Sequence, residues 1–164
     1  MNDRRILDGV NVLDFTRVLA GPYCSRMLAD MGANVFKIDA IPESPRTRTA
    51  GGAGNNMGKR SITLDLKHPE GIKIAHELVA QADVVVENFS PGVMDRLGFG
   101  YDDLKGDHPR LVFAFISGFG KTGTYAQRRA HVATAHAVAG WQWEQKKAEG
   151  PGSACAPGIT LPDM

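Results

Sequence analysis

Five short apolar runs, separated by turns and helix-like segments, constrain this chain more than any other feature. They lie at 10–15 (VNVLDF), 34–38 (NVFKI), 61–66 (SITLDL), 83–87 (DVVVE) and 111–117 (LVFAFIS). Strands this apolar must be covered on both faces, and helical crossovers between them imply a parallel sheet. Pro22 suits the first turn of a helix over 23–31, and Gly32 suits its C-terminal cap. The spacing of Ile72, Ala75, Leu78 and Val79 predicts an amphipathic helix over 69–82. Short helical turns are expected at 92–97 and 101–105, and a longer helix at 126–140. The fold class is therefore α/β, a Rossmann-like, doubly wound parallel sheet with helices on both faces. Residues 1–145 read as one domain and 146–164 as a Gly/Pro-rich tail. The stretch 40–58, rich in Pro, Gly, Thr and Arg, is a long loop of the kind usually kept for function.

In such a sheet, ligands bind beyond the carboxyl ends of the strands. Those ends carry Thr16-Arg17, Asp39-Ala40, Leu66-Lys67, Asn88-Phe89 and Ser117-Gly118, which gather polar and cationic groups on one rim. The formal net charge of +1 supplies no global field for nucleic acid or an anionic membrane, so anion binding has to be local. The two cysteines, Cys24 and Cys155, are far apart and form no CxxC pair, as expected for a reduced, cytoplasmic protein. No window approaches the length of a membrane span, no apolar run follows the N-terminal Met-Asn-Asp-Arg-Arg as in a secretory signal, and no metal-ligand cluster is evident.

Two nucleotide motifs fail on mechanical grounds. After the first strand the chain offers Gly21 alone where a dinucleotide fold needs three glycines. Gly120-Lys121-Thr122 imitates the end of a P-loop, but the position of its first glycine is Phe115, and Gly123 interrupts the helix start.

Taken together, the segments 7–22 (LDGVNVLDFTRVLAGP), 28–39 (LADMGANVFKID), 58–67 (GKRSITLDLK), 82–92 (ADVVVENFSPG) with 96–98 (RLG), 109–112 (PRLV) and 116–120 (ISGFG) resemble the class III CoA-transferases, the CaiB/BaiF or formyl-CoA-transferase-like family. The resemblance implies that coenzyme A lies across the rim. Arg17 and the Leu19-Ala20 backbone would lie near the nucleotide and pantetheine, with Leu64 and Leu66 flanking the adenine. Lys67 and Arg96 would face phosphates, Asn88 and Phe89 would line the pantetheine path, and Ser117-Gly118 would border the thioester. Scattered cations and backbone amides suit a ligand with several phosphates. The chain departs from the family at Ala40, where a basic residue is common; Arg46 or Arg48 could substitute.

The same resemblance implies that Asp163 is the nucleophile, attacking an acyl-CoA thioester and passing through an anhydride and an aspartyl-CoA thioester to a carboxylic acid acceptor. Because the chain ends at Met164, the expectations are a disordered Asp163 and no turnover by these residues alone. Two alternatives are weighed. One is a 2-methylacyl-CoA racemase exchanging a proton through His131 and Asp163, although Val132 stands where racemases usually carry Asp. The other is a non-catalytic CoA-binding fragment. The full-length family also implies an intertwined homodimer.

Overall fold

The computed structural model describes residues 4–41 and 54–149. They fall into two compact units, 1–116 and 117–164, each described by itself. In the first unit, β1 (Asn11–Asp14), β2 (Asn34–Asp39), β3 (Arg60–Thr63), β4 (Val84–Glu87) and β5 (Val112–Phe115) form one sheet in the order β3-β2-β1-β4-β5. Every pairing is parallel, so all five strands present their carboxyl ends at one edge. The chain builds outward from β1 through β2 to β3, then crosses back to place β4 on the other side of β1. The crevice created by that reversal opens between the ends of β1 and β4, the usual ligand position in such sheets.

Period-two alternation decides which helix covers which face. Val12, Val35 and Val86 point to one side, where they bury Ala29 of α1 (Ala20–Asp30) together with Ala33. Leu13, Phe15, Ile38 and Val85 point to the other, against Ala75 and Val79 of α2 (Pro69–Val79). Met94 of α3 (Val93–Arg96), Phe99 and Leu104 of α4 (Tyr101–Leu104) complete that layer. The helix expected over 69–82 is present, with the expected buried face; Pro69 starts it, and the His68 ring accepts the Glu70 amide hydrogen at 3.3 Å. The third strand ends at Thr63, earlier than expected, because its partner β2 ends at Asp39.

Two glycines of α1 set its distance from the sheet and its length. A Cβ on Gly21 would lie 2.4 Å from the Thr16 Cβ, so only glycine lets the first turn settle against the end of β1. At the other end Gly32 takes φ +107°. Its N–H donates to Ala29 O at 2.9 Å and that of Ala33 donates to Leu28 O at 3.0 Å, the Schellman pattern that closes a helix.

In the second unit the helix expected over 126–140 begins only at Val132. Residues before it form turns, with the Arg128 N–H donating to Tyr125 O at 2.8 Å. The strand-end glycine Gly118 lies so close to Ala130 that a Cβ would sit 2.0 Å from the alanine's own. A helix continuing through that residue would lose this fold-back. Two helices follow, α5 (Val132–Val138) and α6 (Trp141–Glu149), joined through Gly140. His136 is fully buried; among the described residues neither ring nitrogen has a partner, and its ring centroid lies 6.4 Å from that of Trp141. Among the described residues no helix is long and apolar enough to cross a membrane.

Gly21→Ala is expected to lower the unfolding free energy by about 1–3 kcal/mol through overpacking against Thr16. Urea denaturation of the chain measures it, as a lower midpoint with an unchanged slope.

Candidate functional site

On the α1 side of the sheet the apolar layer gives way, toward the carboxyl edge, to buried charge. Asp14 is two residues after Val12 and Lys37 two after Val35, so both share the face that those valines define. The Asp14 carboxylate is wholly buried and every lone-pair direction is used. Its Oδ1 accepts the Thr16 amide at 2.7 Å and the Thr16 hydroxyl; its Oδ2 accepts the Ser25 hydroxyl at 2.6 Å and Lys59 Nζ at 3.0 Å. The Lys59 ammonium is equally saturated, donating also to Pro22 O at 2.7 Å and Ser25 Oγ at 2.8 Å. The side chains of this pair are 1% and 0% exposed.

Lys37, also buried, takes a different partner: its Nζ donates to Thr16 O at 2.9 Å and lies 3.8 Å from Asp39 Oδ1. Burial would raise the Asp14 carboxyl, but the charges of Lys37 and Lys59 and the two hydroxyl hydrogen bonds outweigh it and hold the group below its ordinary value. Both lysines are pushed below theirs, chiefly by burial, despite the pull of Asp14. The asymmetry is physical: one carboxylate draws on two cations, whereas the two cations share that carboxylate.

This cluster supports a short rim segment, 15–18. The Arg17 N–H donates to Asn88 Oδ1 at 2.7 Å and the Asn88 amide donates back to Arg17 O at 2.8 Å. One asparagine thus pairs both backbone groups of one residue and ties the end of β1 to the end of β4. The Arg17 guanidinium folds over the same segment. Its Nη1 donates to Ile38 O at 2.7 Å and Thr16 O at 2.8 Å, and its Cζ lies 5.7 Å from the Phe89 ring centroid. Burial lowers its pKa, opposed by Asp39 and Asp14. The next residue, Val18, holds φ +71°. That is a strained conformation for a β-branched side chain, maintained only where the surroundings over-determine it.

Of the residues singled out by sequence, the structure therefore brings Arg17, Asn88 and Phe89 together at the crevice between β1 and β4. Leu19 and Ala20 sit at the start of α1, directly after Val18. Leu64 is 8% exposed and belongs to the core, against which Leu66 also packs. Lys67 and Arg96 are exposed, and among the described residues no hydrogen bond or ion pair joins either to the Arg17–Asn88 clasp. Ser117 and Gly118 open the second unit, where the Ser117 hydroxyl accepts the Gly120 N–H at 3.0 Å. His131 stands at the N-cap position of α5 with extended backbone, and its side chain makes no capping hydrogen bond among the described residues. Asp163, Arg46 and Arg48 lie outside the described residues.

Sequence reading missed Asp14, Lys37, Ser25 and Lys59. The signal was present: two charges inside otherwise apolar strands, each two places from a buried valine.

Residues 7–164 match the model of CoA-transferase family III. The chain belongs to CoA-transferase family III. An acyl-CoA transferase of Fusarium pseudograminearum is 41% identical, aligning with 96% of this chain and 38% of its own length. Human succinyl-CoA:glutarate CoA-transferase is 38% identical over all of this chain and 39% of its own length. The solved structure of a CaiB/BaiF family protein from Brucella suis is 33% identical and superposes with a TM-score of 0.83, covering 99% of this chain and 46% of that one. The chain thus spans about two-fifths of the length of the curated relatives it matches.

Removing either member of the saturated pair strands a buried charge, so Lys59→Met is expected to cost about 3–5 kcal/mol. Lys37→Met should cost less than Lys59→Met, because Asp14 keeps the directly hydrogen-bonded Lys59 and Asp39 is partly hydrated. Chemical denaturation of the two variants distinguishes them. The lowered Asp14 pKa also implies stability that is fully present above the ordinary carboxylate value, about 3.9, and lost as pH falls through the lower folded value. An acid titration should show this loss, and Asp14→Asn should make that limb shallower.

Proposed function

We propose that the protein to which these residues belong transfers coenzyme A between an acyl-CoA and a carboxylic acid, with the clasp at the β1/β4 crevice forming part of the coenzyme site. The observation carrying this reading is the coincidence of the family match with a cationic, aromatic and amide-bearing cluster at the strand reversal, where this fold takes its ligands. Arg17 and Phe89 offer charge and an apolar face, and Lys67 and Arg96 supply exposed cations for phosphate groups. A cytoplasmic homodimer using no metal fits this reading.

Asp163 is assigned the nucleophile's role. Its carboxylate attacks the acyl carbonyl, the C–S bond breaks and CoA leaves as thiolate, giving a mixed anhydride. The thiolate then attacks the aspartyl carbonyl and releases the original acyl group as a carboxylate. The acceptor carboxylate attacks the resulting aspartyl-CoA thioester and the sequence reverses, so each bond broken is matched by one formed. Water must be kept out, since an anhydride hydrolyses readily. The relatives are named for transfer, acetyl-CoA:oxalate and formyl-CoA:oxalate among them, which favours transfer over proton exchange through His131 and Asp163. Because the chain spans two-fifths of such proteins, turnover is assigned to the whole protein, and coenzyme binding without turnover to residues 1–164.

In the whole protein, mass spectrometry after incubation with acyl-CoA should detect an aspartyl-CoA thioester at Asp163. Asp163→Asn should lower acyl exchange by about a thousandfold or more. Exchange that survives this substitution refutes the assignment. Calorimetry of residues 1–164 with CoA should show binding, weakened about tenfold by Asn88→Ala, the loss expected for removing the clasp's hydrogen bonds.

A further inference from the structure

We infer that Lys37, buried beneath the rim and in no position to touch a ligand, is a positioning residue that orients the Arg17–Asn88 clasp for coenzyme binding. The coenzyme part of this inference rests on the reading under Proposed function; the positioning part does not.

One peptide unit links Lys37 to the clasp. The carbonyl of Thr16 and the N–H of Arg17 belong to the same planar amide, in which C=O and N–H point in opposite directions. Fixing the direction of one therefore fixes the other. The carbonyl end receives two cationic donors, Lys37 Nζ at 2.9 Å and Arg17 Nη1 at 2.8 Å, which occupy both oxygen lone pairs. The amide end donates to Asn88 Oδ1 at 2.7 Å. Lys37 is thus one of the groups that aim the Arg17 N–H across the crevice. Strand β2 pairs with β1 along 11–14, and β4 holds the chain one residue further, where the Phe15 N–H donates to Val86 O at 2.9 Å; the Lys37 side chain reaches Thr16, the next residue on.

Stability alone does not account for a lysine at this site. Asp14 already has a full set of partners without it, counting Lys59, Ser25 and Thr16. Lys37 adds its charge to that of Lys59 in holding Asp14 ionised, but its directed bond goes to the Thr16 oxygen and not to that carboxylate, and a buried ammonium is costlier to desolvate than an apolar side chain of similar length. What an apolar side chain cannot supply is a directed bond to the Thr16 oxygen. Val18, at φ +71°, comes one peptide later, after the Arg17 carbonyl that accepts the Asn88 amide at 2.8 Å.

Amide hydrogen exchange on the ligand-free chain tests the positioning. In Lys37→Met the Arg17 N–H should exchange about tenfold faster than in wild type, while that of Val85, in the core of β4, is unchanged. The resonances of the Asn88 side-chain amide should move with it. Equal exchange at Arg17 in the two proteins overturns the inference. A measurement without any variant guards against a misfolded substitution: in the wild-type chain a scalar coupling should be seen between Lys37 Nζ and the Thr16 carbonyl carbon. Its absence also overturns the inference. Calorimetry with CoA tests the consequence, with Lys37→Met binding about tenfold more weakly. Faster exchange with unchanged CoA affinity rejects the role in coenzyme binding. A wild-type chain that fails to bind CoA refutes the reading of residues 1–164 as a coenzyme site, while the exchange result still decides the positioning.

Discussion

Lys59 approaches Asp14 to 3.0 Å with both side chains out of solvent, and this contact settles where three parts of the chain can sit. Asp14 ends β1, Lys59 precedes β3, and the hydroxyl and carbonyl that share the ammonium belong to Ser25 and Pro22 of α1. An ion pair buried to this degree contributes little net stability, since removing two charges from water costs about what their attraction returns. Its effect is on geometry. Any shift of α1 along the sheet would leave a charge with neither water nor partner, so the helix has one acceptable register. Gly21 enforces the same register from the steric side, through its contact with Thr16. Electrostatics and packing thus agree on one placement of the segment that begins the rim.

The fold was legible because burial on both faces leaves a coarse mark. Runs such as 84–86 (VVV) can be little other than interior strands, and their alternation with helices fixes the class. The clasp was half legible: Arg17, Asn88 and Phe89 could be picked out as strand-end residues, but their mutual pairing depends on a strand order that no short window encodes. The charged layer beneath was read as part of the strands. Runs like VNVLDF register as apolar by count, and a single charge among them passes as noise, although its phase places it inside. The second unit shows the opposite error. The composition around 126–131 is compatible with a helix, yet a close contact between Gly118 and Ala130 takes precedence, and local propensity has no access to such contacts.

Relatives named for different substrates bear on how specificity is divided. Proteins named for succinyl-CoA with glutarate, acetyl-CoA with oxalate and formyl-CoA with oxalate match this chain at 38–40% identity, over similar shares of their lengths. Under the proposed reading, a rim built from backbone pairing, a guanidinium and an aromatic ring would serve the coenzyme portion common to the substrates in those names.

The saturation of Lys59 has a chemical consequence. Thioesters acylate amines, and a lysine whose ammonium lies 3.0 Å from the last residue of β1 is an obvious target. The lone pair needed for that reaction exists only on a neutral amine. Here the nitrogen directs its three protons to Asp14, Ser25 and Pro22, and its side chain is 1% exposed, so it has neither a free electron pair nor an approach for an electrophile. The arrangement that holds α1 in place also makes the cation beneath it inert to the kind of reagent this family handles.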